Sequence, residues 1–376
     1  MQNTRNHNPY SGVDWKKACR IQTATHMHCT SQAILDRYVK AGLDLALFSN
    51  YYPSSPWYPL ASIRENMFRV SQQGYMRNGV FHRETLDVNA VMEEWKDTLP
   101  AEKQAQLPFQ AGEPIFTSIP ETLMEAPNAE HHFFSDCSDY LHVTAPGARI
   151  TTSNFDRFNE FGMISKGGFP TGLPIPWRDA YKMILDSMMT EDGGGLVIAH
   201  PTWSHLPQSL LQEMLDYDPR VLGIEVFNYD CRGDFSASSD AVWDAILSTG
   251  RQCFGFFVQD HPTPDEQWCG RIVLLAEERT PEAALRAMRQ GRFYGVMRNN
   301  GVRFEEISFD GSRLYARCDR KVNFQVLAKP GVVADAFGAE EISFEVKPED
   351  REKLVFLRLT AVEYKVDKLF SQPFML

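Results

Sequence analysis

Two histidines near the start of the chain have the spacing of a metal-ligand pair. His26 and His28 stand at the end of the run CRIQTAT, which predicts a β-strand. Residues two apart in a strand point to the same face, so both imidazoles can reach one point in space. Imidazole nitrogens are common ligands of divalent metal ions such as Zn²⁺. The pair therefore predicts a metal site.

Further possible ligands stand at the ends of later predicted strands. They are Glu121 after IFTSIP, His131 and His132 in EHHFF, His200 after GLVIA, and Asp260 with His261 after FGFFVQ. The C-terminal strand ends form the active-site face of α/β barrels, so these side chains are expected on one rim. A lone histidine at a strand end is more often an ordinary hydrogen-bonded residue. The coincidence of five strand ends favours a metal centre, and its N and O donors suit Zn²⁺, Mn²⁺ or Fe²⁺.

Four other histidines are not part of this set. His7, His82 and His205 fit no strand end and are predicted to lie on the surface or in loops. His142, in YLHVTAP, is compatible with either role.

The elements that position these side chains alternate along the chain. SQAILDRYVKAG has the apolar spacing of a helix, with Ser31 as its predicted N-cap and Gly42 at its end. LDLALFSN follows as a buried strand, which predicts a βαβ unit with parallel pairing and a right-handed crossover. Residues 62–112 are polar and mostly helical in pattern, and we expect them to form an insertion over the barrel mouth.

Strand and helix patterns continue to alternate up to about residue 300, which favours an α/β fold with a closed or nearly closed barrel. From about Val302 the segments alternate apolar and polar residues between turn signals, as antiparallel strands do. We therefore expect a metal-binding barrel in residues 1–300 and an antiparallel β module in residues 301–376.

Composition limits the class of protein. The 376 residues are 43% hydrophobic and 23% charged, with a formal net charge of −11. That charge argues against nucleic acid or an anionic membrane as the main partner. The N-terminus predicts no signal peptide, and no stretch is apolar and long enough to span a bilayer. The seven cysteines form no CxxC pair, which is typical of a reducing compartment and predicts a cytoplasmic protein.

Several segments together resemble the PHP superfamily, the polymerase and histidinol phosphatase group of metal-dependent phosphoesterases. The similar segments are THMHCTS, AGLDLALFSNYYPS, ETLMEAPNAEHHFF, LVIAHP, GIEVFN and GFFVQDHP. The tail FLRLTAVEYKVDKLFSQPFML looks like the last hairpin of a β module appended to some members. The resemblance covers most of the chain. It implies a distorted (β/α)7 TIM-like barrel with a C-terminal β-sandwich-like module, up to three metal ions and hydrolysis of a phosphate ester.

The resemblance also implies two ligand sets that share a bridging glutamate. The first set is His26, His28, Glu121 and Asp260, and the second is Glu121, His132 and His200. Glu125 and His131 remain alternatives to Glu121 and His132, because the loop between them could slip.

Three histidines that serve the third metal in the family are absent or displaced in this chain. CTSQAI contains none, and Asn50 and Tyr51 stand where the family has an Asp-His pair. His261 stands one position before Pro262, where the family has a histidine, and stays a candidate ligand. Loss of the third site is therefore expected, which leaves one or two divalent ions (Zn, Mn or Fe).

The expected chemistry follows from the ions. A bound cation lowers the pKa of its water from ~15.7 to roughly 7, and two ions ~3.5–4 Å apart can bind the attacking and leaving oxygens. Glu121, Asp260 and His200 are the expected catalytic residues. A small phosphorylated molecule is the expected substrate.

Residues on the substrate side are expected from their position. Asn50 and Tyr51 replace family ligands and are predicted to contact substrate, Lys166 is a candidate for the phosphate, and Trp203 for a sugar or ring. Arg232 and Arg292 are further candidates for the phosphate, although each is more often a solvated surface charge.

Two other functions remain open from the sequence. One is an amidohydrolase-type enzyme that cleaves a C–N or C–O bond, since those barrels also begin with HxH. The other is a non-catalytic binding protein with a reduced metal site, because fold does not determine function.

Overall fold

The structure is a computed structural model that describes most of the chain. The described residues are 7–49, 59–62, 75–77, 80–82, 113–132, 134–138, 140–149, 175–261, 268–298, 301–363 and 367–376. The predicted helical insertion at residues 62–112 falls almost entirely outside these ranges.

Eighteen strands lie in these ranges. They are β1 (Cys19–Thr23), β2 (Leu45–Ala46), β3 (Tyr75–Arg77), β4 (Val80–His82), β5 (Met124–Glu125), β6 (Glu130–His131), β7 (Val143–Thr144), β8 (Leu196–Ile198), β9 (Val221–Asn228), β10 (Phe254–Val258), β11 (Gly270–Ala276), β12 (Phe293–Met297), β13 (Phe304–Phe309), β14 (Arg313–Ala328), β15 (Gly331–Glu345), β16 (Phe356–Val362), β17 (Lys368–Phe370) and β18 (Phe374–Met375).

Six α-helices accompany these strands in the described part of the chain. They are α1 (Gln32–Lys40), α2 (Trp177–Asp186), α3 (Gln208–Tyr217), α4 (Asp240–Leu247), α5 (Pro281–Arg289) and α6 (Arg351–Leu354). The prediction for α1 is confirmed, because the Ser31 side chain accepts a hydrogen bond from the amide of Ile34 and Leu35 and Tyr38 are buried. None of the helices in these ranges has the length and apolar character that crossing a membrane requires.

A five-stranded mixed sheet carries most of the predicted strand–helix units. Its strand order is β10-β9-β8-β7-β6. β8, β9 and β10 are parallel and are connected by α3 and α4, whereas β7 and β6 join in antiparallel fashion. The predicted alternation of LVIAH, LPQSLLQEMLDYD and VLGIEVFN as strand, helix and strand is confirmed.

A nine-stranded antiparallel sheet forms the other large layer. Its main path is β1-β11-β12-β17-β16-β14-β13, with β15 on β14 and β18 on β16. β12 pairs with β17, so the sheet runs across the predicted domain boundary at residue 300. The antiparallel strands predicted after Val302 are present. Their apolar side chains form a second buried core that includes Phe304, Phe324 and Leu359.

The segments of β1 and β2 run side by side in parallel, as predicted, since Asp44 N donates to Gln22 O over 3.0 Å and Ser49 N donates to Met27 O over 2.8 Å, but the two strands form no continuous ladder. β1 forms an antiparallel ladder with β11, and β2 pairs in parallel with β5. The reason is that side chains occupy the hydrogen-bonding positions between β1 and β2. The amide of Asn128 donates to Thr25 O and Leu47 O, both over 2.8 Å, and Thr23 Oγ1 donates to Leu45 O over 2.7 Å. In the described residues, the ladders therefore do not show the predicted TIM-like barrel.

An ion pair with a buried arginine connects the two large sheets. Arg358 of β16 is 2% exposed and donates to both carboxylate oxygens of Asp244 in α4, over 2.7 and 2.8 Å. Its guanidinium also lies over the Trp243 ring, 4.8 Å from the centroid. This bidentate contact holds α4, and with it the mixed sheet, against the antiparallel sheet.

Candidate metal centre

The ends of four strands bring five histidine and carboxylate side chains together. His26 and His28 lie just beyond β1, Glu130 begins β6, His200 follows β8 and Asp260 follows β10. All five side chains are buried. Because β1 belongs to the antiparallel sheet and the other three strands to the mixed sheet, the cluster lies where the two sheets meet.

Single backbone hydrogen bonds hold these strand ends in register. Asp260 N donates to His26 O over 2.9 Å, Ser49 N donates to Met27 O over 2.8 Å, and Glu130 N donates to Ser49 O over 3.0 Å. The connection thus passes from the end of β10 through the end of β1 to β6. The ligand-bearing backbone is fixed here without a continuous ladder.

Donor atoms of four residues lie close together around His26 and His28. His26 Nε2 lies 3.3 Å from His28 Nε2, 3.2 Å from Glu130 Oε2 and 3.1 Å from Asp260 Oδ1. His28 Nε2 lies 3.1 Å from the same glutamate oxygen and 3.4 Å from the same aspartate oxygen. A tetrahedral zinc ion with bonds of about 2.0–2.1 Å holds its ligand atoms about 3.3 Å apart. Each of the five separations is close to that ligand–ligand distance.

Glu130 directs its two oxygens to two different histidine pairs. Oε2 faces His26 and His28, whereas Oε1 lies 2.6 Å from His142 Nδ1 and 3.8 Å from His200 Nε2. Glu130, His142 and His200 form a second donor group whose ligand atoms lie within 4.8 Å of one another. A carboxylate in this position can bridge two ions.

His261 lies beside the first group. Its ring stacks on His28 with centroids 3.9 Å apart and an interplanar angle of 7°. Its Nε2 is 3.7 Å from Asp260 Oδ1, and the three residues form a further possible donor group.

Two polar residues of β9 support the cluster, and the sequence analysis did not single them out. Glu225 Oε1 lies 2.7 Å from His26 Nδ1, and Glu225 Oε2 accepts from the amide of His200 over 2.9 Å. The side-chain amide of Asn228 donates to Glu225 Oε2 and to Asp260 Oδ2, both over 2.9 Å. Two polar residues in the mostly apolar strand VLGIEVFN are the signal that could have identified this pair.

Backbone conformation is unusual at two of the ligand positions. His200 has φ of 27° and Asp260 has φ of 64°, both in the left-handed region that favours glycine. Non-glycine residues persist there only where surrounding contacts impose the conformation, and such residues concentrate at functional sites. Here the Glu225 carboxylate binds the amide of His200, and the Asp260 backbone is bonded to the His26 segment.

Mutual attraction between the histidines and the carboxylates controls the charges in the cluster. Burial raises the pKa of Glu130, but the positive charges of His26 and His142 outweigh it and hold that pKa well below its usual range. Burial likewise raises the pKa of Asp260, and His26 and His261 bring it well below its usual range. Burial lowers the pKa of His26, yet Asp260 and Glu130 raise it well above the usual value. Without a metal ion, a proton provides the compensating positive charge.

The structure places Glu121 away from the cluster. Glu121 is exposed in a turn before β5, and the glutamate that lies among the histidines is Glu130. The alternative, Glu125, instead accepts a hydrogen bond from the amide of Leu60, and burial raises its pKa. The reason for the difference is that the backbone of Glu130 is bonded to Ser49 beside the β1 end, a long-range contact with no local sequence signal.

The two neighbouring histidines also differ from expectation. The imidazole of His132 is buried 5.1 Å from that of His142, centroid to centroid, but His142 is the one that joins the second donor group. His131 is fully buried, and burial lowers its pKa to about 3. His205 is exposed, as predicted.

Of the four predicted substrate contacts, Trp203 lies in the described part of the chain. Asn50, Tyr51 and Lys166 lie outside the described residues. Trp203 is half-buried, with its ring 4.9 Å from that of His200 and 5.2 Å from that of Tyr140. Trp203 lies directly beside the second donor group, and Tyr140 packs against Trp203.

The two arginine candidates contact an aromatic ring, a carboxylate and a backbone carbonyl. Arg232 lies over the Tyr229 ring, 4.0 Å from its centroid. Arg292 donates to Glu277 over 3.0 Å and to Ser11 O over 3.3 Å.

The donor set fits divalent metal ions. Five buried side chains with nitrogen or oxygen donors converge. Burial disfavours the charged forms of these groups, but the attraction between carboxylates and histidines favours them. Hard and borderline cations such as Zn²⁺, Mn²⁺ and Fe²⁺ take this mixture of imidazole and carboxylate. The arrangement therefore supports divalent metal binding in general.

Comparison with known proteins found a distant structural similarity. No protein-family model matches the chain, and no curated protein does. The match is a two-domain protein from Bacteroides vulgatus that contains a predicted PHP-like metal-dependent phosphoesterase. It is 13% identical, with a TM-score of 0.42, over 100% of this chain and 98% of the other.

Proposed function

We propose that this protein is a metal-dependent hydrolase that cleaves a phosphate ester of a small molecule. The observation that carries the proposal is the position of Glu130 between two histidine pairs. Its Oε2 faces His26 and His28, and its Oε1 faces His142 and His200. A bridging carboxylate with ligands on both sides is what a pair of ions about 3.5–4 Å apart requires.

Each residue has a defined part in this proposal. His26, His28 and Asp260 would hold one ion, His142 and His200 would hold the other, and Glu130 would contribute an oxygen to each. When bound, such ions lower the pKa of water to about 7 and neutralise charge on phosphoryl oxygens. Asp260 and His200 stay in the proposed catalytic set, and Glu130 replaces Glu121 in it.

The part of the substrate beyond the phosphate is proposed to lie against Trp203 and Tyr140. Tyr140 is 56% exposed, and the two rings meet edge to face beside His200. Exposed aromatic rings at a site are suited to contact a sugar or another ring. Asn50, Tyr51 and Lys166 remain proposed substrate contacts.

The test is hydrolysis by the full-length protein after loading with Zn²⁺, Mn²⁺ or Fe²⁺. A panel of phosphate monoesters and diesters is compared with amides, lactones and cyclic C–N substrates. Metal-dependent phosphate release that is lost in Glu130→Gln and kept in Glu121→Gln is the expected result. Turnover only of the C–N or C–O substrates would overturn the phosphoesterase assignment, and no turnover by the loaded protein would overturn the hydrolase assignment.

A further inference from the structure

We infer that Glu225 and Asn228 are positioning residues that make His26 and Asp260 competent to hold a metal ion. Neither side chain belongs to the donor groups, and each acts through a donor residue. The inference rests on the metal centre of the proposed function and is independent of the reaction catalysed there.

The first part of the argument concerns which nitrogen of His26 faces the cluster. Glu225 Oε1 lies 2.7 Å from His26 Nδ1, and both side chains are buried. An ionised carboxylate only accepts hydrogen bonds, so the proton of neutral His26 resides on Nδ1. Nε2 then presents its lone pair to Glu130 and Asp260, at the vertex that a cation requires. Carboxylate partners fix the tautomer and increase the basicity of metal-bound histidines in the same way.

The second part concerns Asp260. Asn228 donates from its Nδ2 to Asp260 Oδ2, which leaves Oδ1 directed at His26 Nε2 and His28 Nε2. The orientation of the Asn228 amide is itself determined, because its Oδ1 accepts from the backbone amide of Asp230 over 3.1 Å. One carboxylate oxygen of Asp260 is thereby reserved for the metal position.

The third part is the backbone that puts both residues on the same side of β9. In a regular strand, residues three apart point to opposite faces. The pairing of β9 with β10 changes register here, since Phe256 is opposite Glu225 while Phe257 is opposite Phe227, so Val226 is an extra residue. Such a bulge redirects the side chains that follow it. Glu225 and Asn228 therefore share a face and meet at 2.9 Å.

Substitution of Glu225 by glutamine is a sharp test because the two oxygens of the carboxylate face different partners. Oε1 meets His26, whereas Oε2 accepts from His200 N and Asn228 Nδ2. A glutamine keeps its oxygen toward those two N–H donors, and its NH₂ group then donates to His26 Nδ1. His26 must take the other tautomer, with a proton on Nε2 where the metal would bind.

The experiment measures zinc affinity and the His26 tautomer in the full chain. Zinc dissociation constants come from competition with a chromophoric chelator, and tautomers from ¹⁵N chemical shifts of histidine-labelled protein, with His26 assigned by a His26→Gln variant. We expect Glu225→Gln to weaken zinc binding by about 10- to 100-fold and to move the His26 proton from Nδ1 to Nε2 in the metal-free protein at alkaline pH. The matched control, Glu121→Gln, changes an exposed glutamate and should alter neither quantity.

A second variant keeps the test decisive if Glu225→Gln does not fold. Asn228→Leu removes the donor to Asp260 but leaves the Glu225–His26 contact, so zinc binding should weaken while the tautomer is unchanged. Zinc affinity within about twofold of the parent in both variants would overturn the inference, as would the absence of zinc binding by the parent. Zinc binding that depends on Glu225 in a protein that hydrolyses no phosphate ester would support the inference and overturn only the proposed function.

Discussion

The Nε2 atoms of His26 and His28 lie 3.3 Å apart, deep in the protein and between the carboxylates of Glu130 and Asp260. Two imidazole lone pairs this close repel each other unless a cation or a proton lies between them. The two carboxylates supply negative charge that favours either one. The pair therefore defines where a cation would bind.

The first prediction is bound metal that depends on the histidine pair. Protein purified without chelator should hold one or two divalent ions per chain. A His26→Ala/His28→Ala variant should lose at least the ion proposed to bind between these histidines. Elemental analysis measures both. His205→Asn, which changes an exposed histidine at a backbone position that asparagine tolerates, should keep the parent metal content. Equal metal content in the double variant and the parent would place the ion elsewhere.

The second prediction separates the two glutamates. Glu130→Gln removes the charge that both histidine pairs share and should lower kcat by at least about 100-fold, because metal ions supply several kcal/mol of charge stabilisation. It should also reduce the number of bound ions. Glu121→Gln should leave both unchanged, since that residue is exposed in a turn. Loss of activity in the second variant instead would restore Glu121 to the site.

The third prediction concerns pH in the metal-free protein. The pKa of His26 is raised above its ordinary value of 6.5 by Asp260 and Glu130 despite its burial, so the folded state binds this proton more tightly than the unfolded state. The stability it contributes is complete below about pH 6.5 and is lost as the pH rises through the raised pKa. A divalent ion replaces that proton.

The free energy of unfolding is therefore expected to rise more on zinc addition at pH 8 than at pH 6. Urea titrations at the two pH values, with and without zinc, measure the difference. Glu130 and Asp260 affect stability at acidic pH instead. Their pKa values are lowered in the folded state, so the stability they add is lost only as the pH falls below about 4. An equal zinc effect at pH 6 and pH 8 would contradict the exchange of a proton for the ion.

The fourth prediction concerns Trp203. Trp203→Ala should raise KM for a ring-bearing phosphate ester by roughly fivefold to tenfold, since an aromatic contact contributes about 1 kcal/mol. Its ring is half-buried beside His200, so kcat should change less than KM. Trp203→Phe keeps an aromatic ring, so its KM should lie between that of the parent and that of Trp203→Ala. An equal rise in KM for a simple alkyl phosphate would show that the indole does not contact the ring of the substrate.

The fifth prediction concerns stability at the contact between the sheets. Arg358→Ala should lower the free energy of unfolding by about 2–3 kcal/mol, near the lower end of the loss for a broken buried pair. The lower end applies because the side chain of Asp244 is 36% exposed and can be hydrated once Arg358 is gone. Chemical denaturation measures the loss. Arg320→Ala, at an exposed ion pair with Asp319, should cost less than about 1 kcal/mol.

Particular residues show how far sequence reasoning reached. Ser31, the apolar stripe of α1 and the alternation of β8, α3 and β9 were predictable because caps and periodicity are local properties. The convergence of His26, His28, His200 and Asp260 was also expected, because strand ends tend to meet at one face. The lack of a ladder between β1 and β2 was not expected. Its cause is the side chain of Asn128, which bonds to both segments and lies about a hundred residues further along the chain.

The sequence by itself determined the chemistry of the site: which residues are donors, which of them share a strand face, and that a divalent cation suits them. Only the tertiary structure decided that Glu130 lies between the two histidine pairs, that His142 joins the second donor group, and that Glu225 and Asn228 contact His26 and Asp260. The physical reason is that periodicity specifies a side chain's direction within its own strand. The partners it meets depend on long-range pairing and on a bulge in β9, and neither has a local signature.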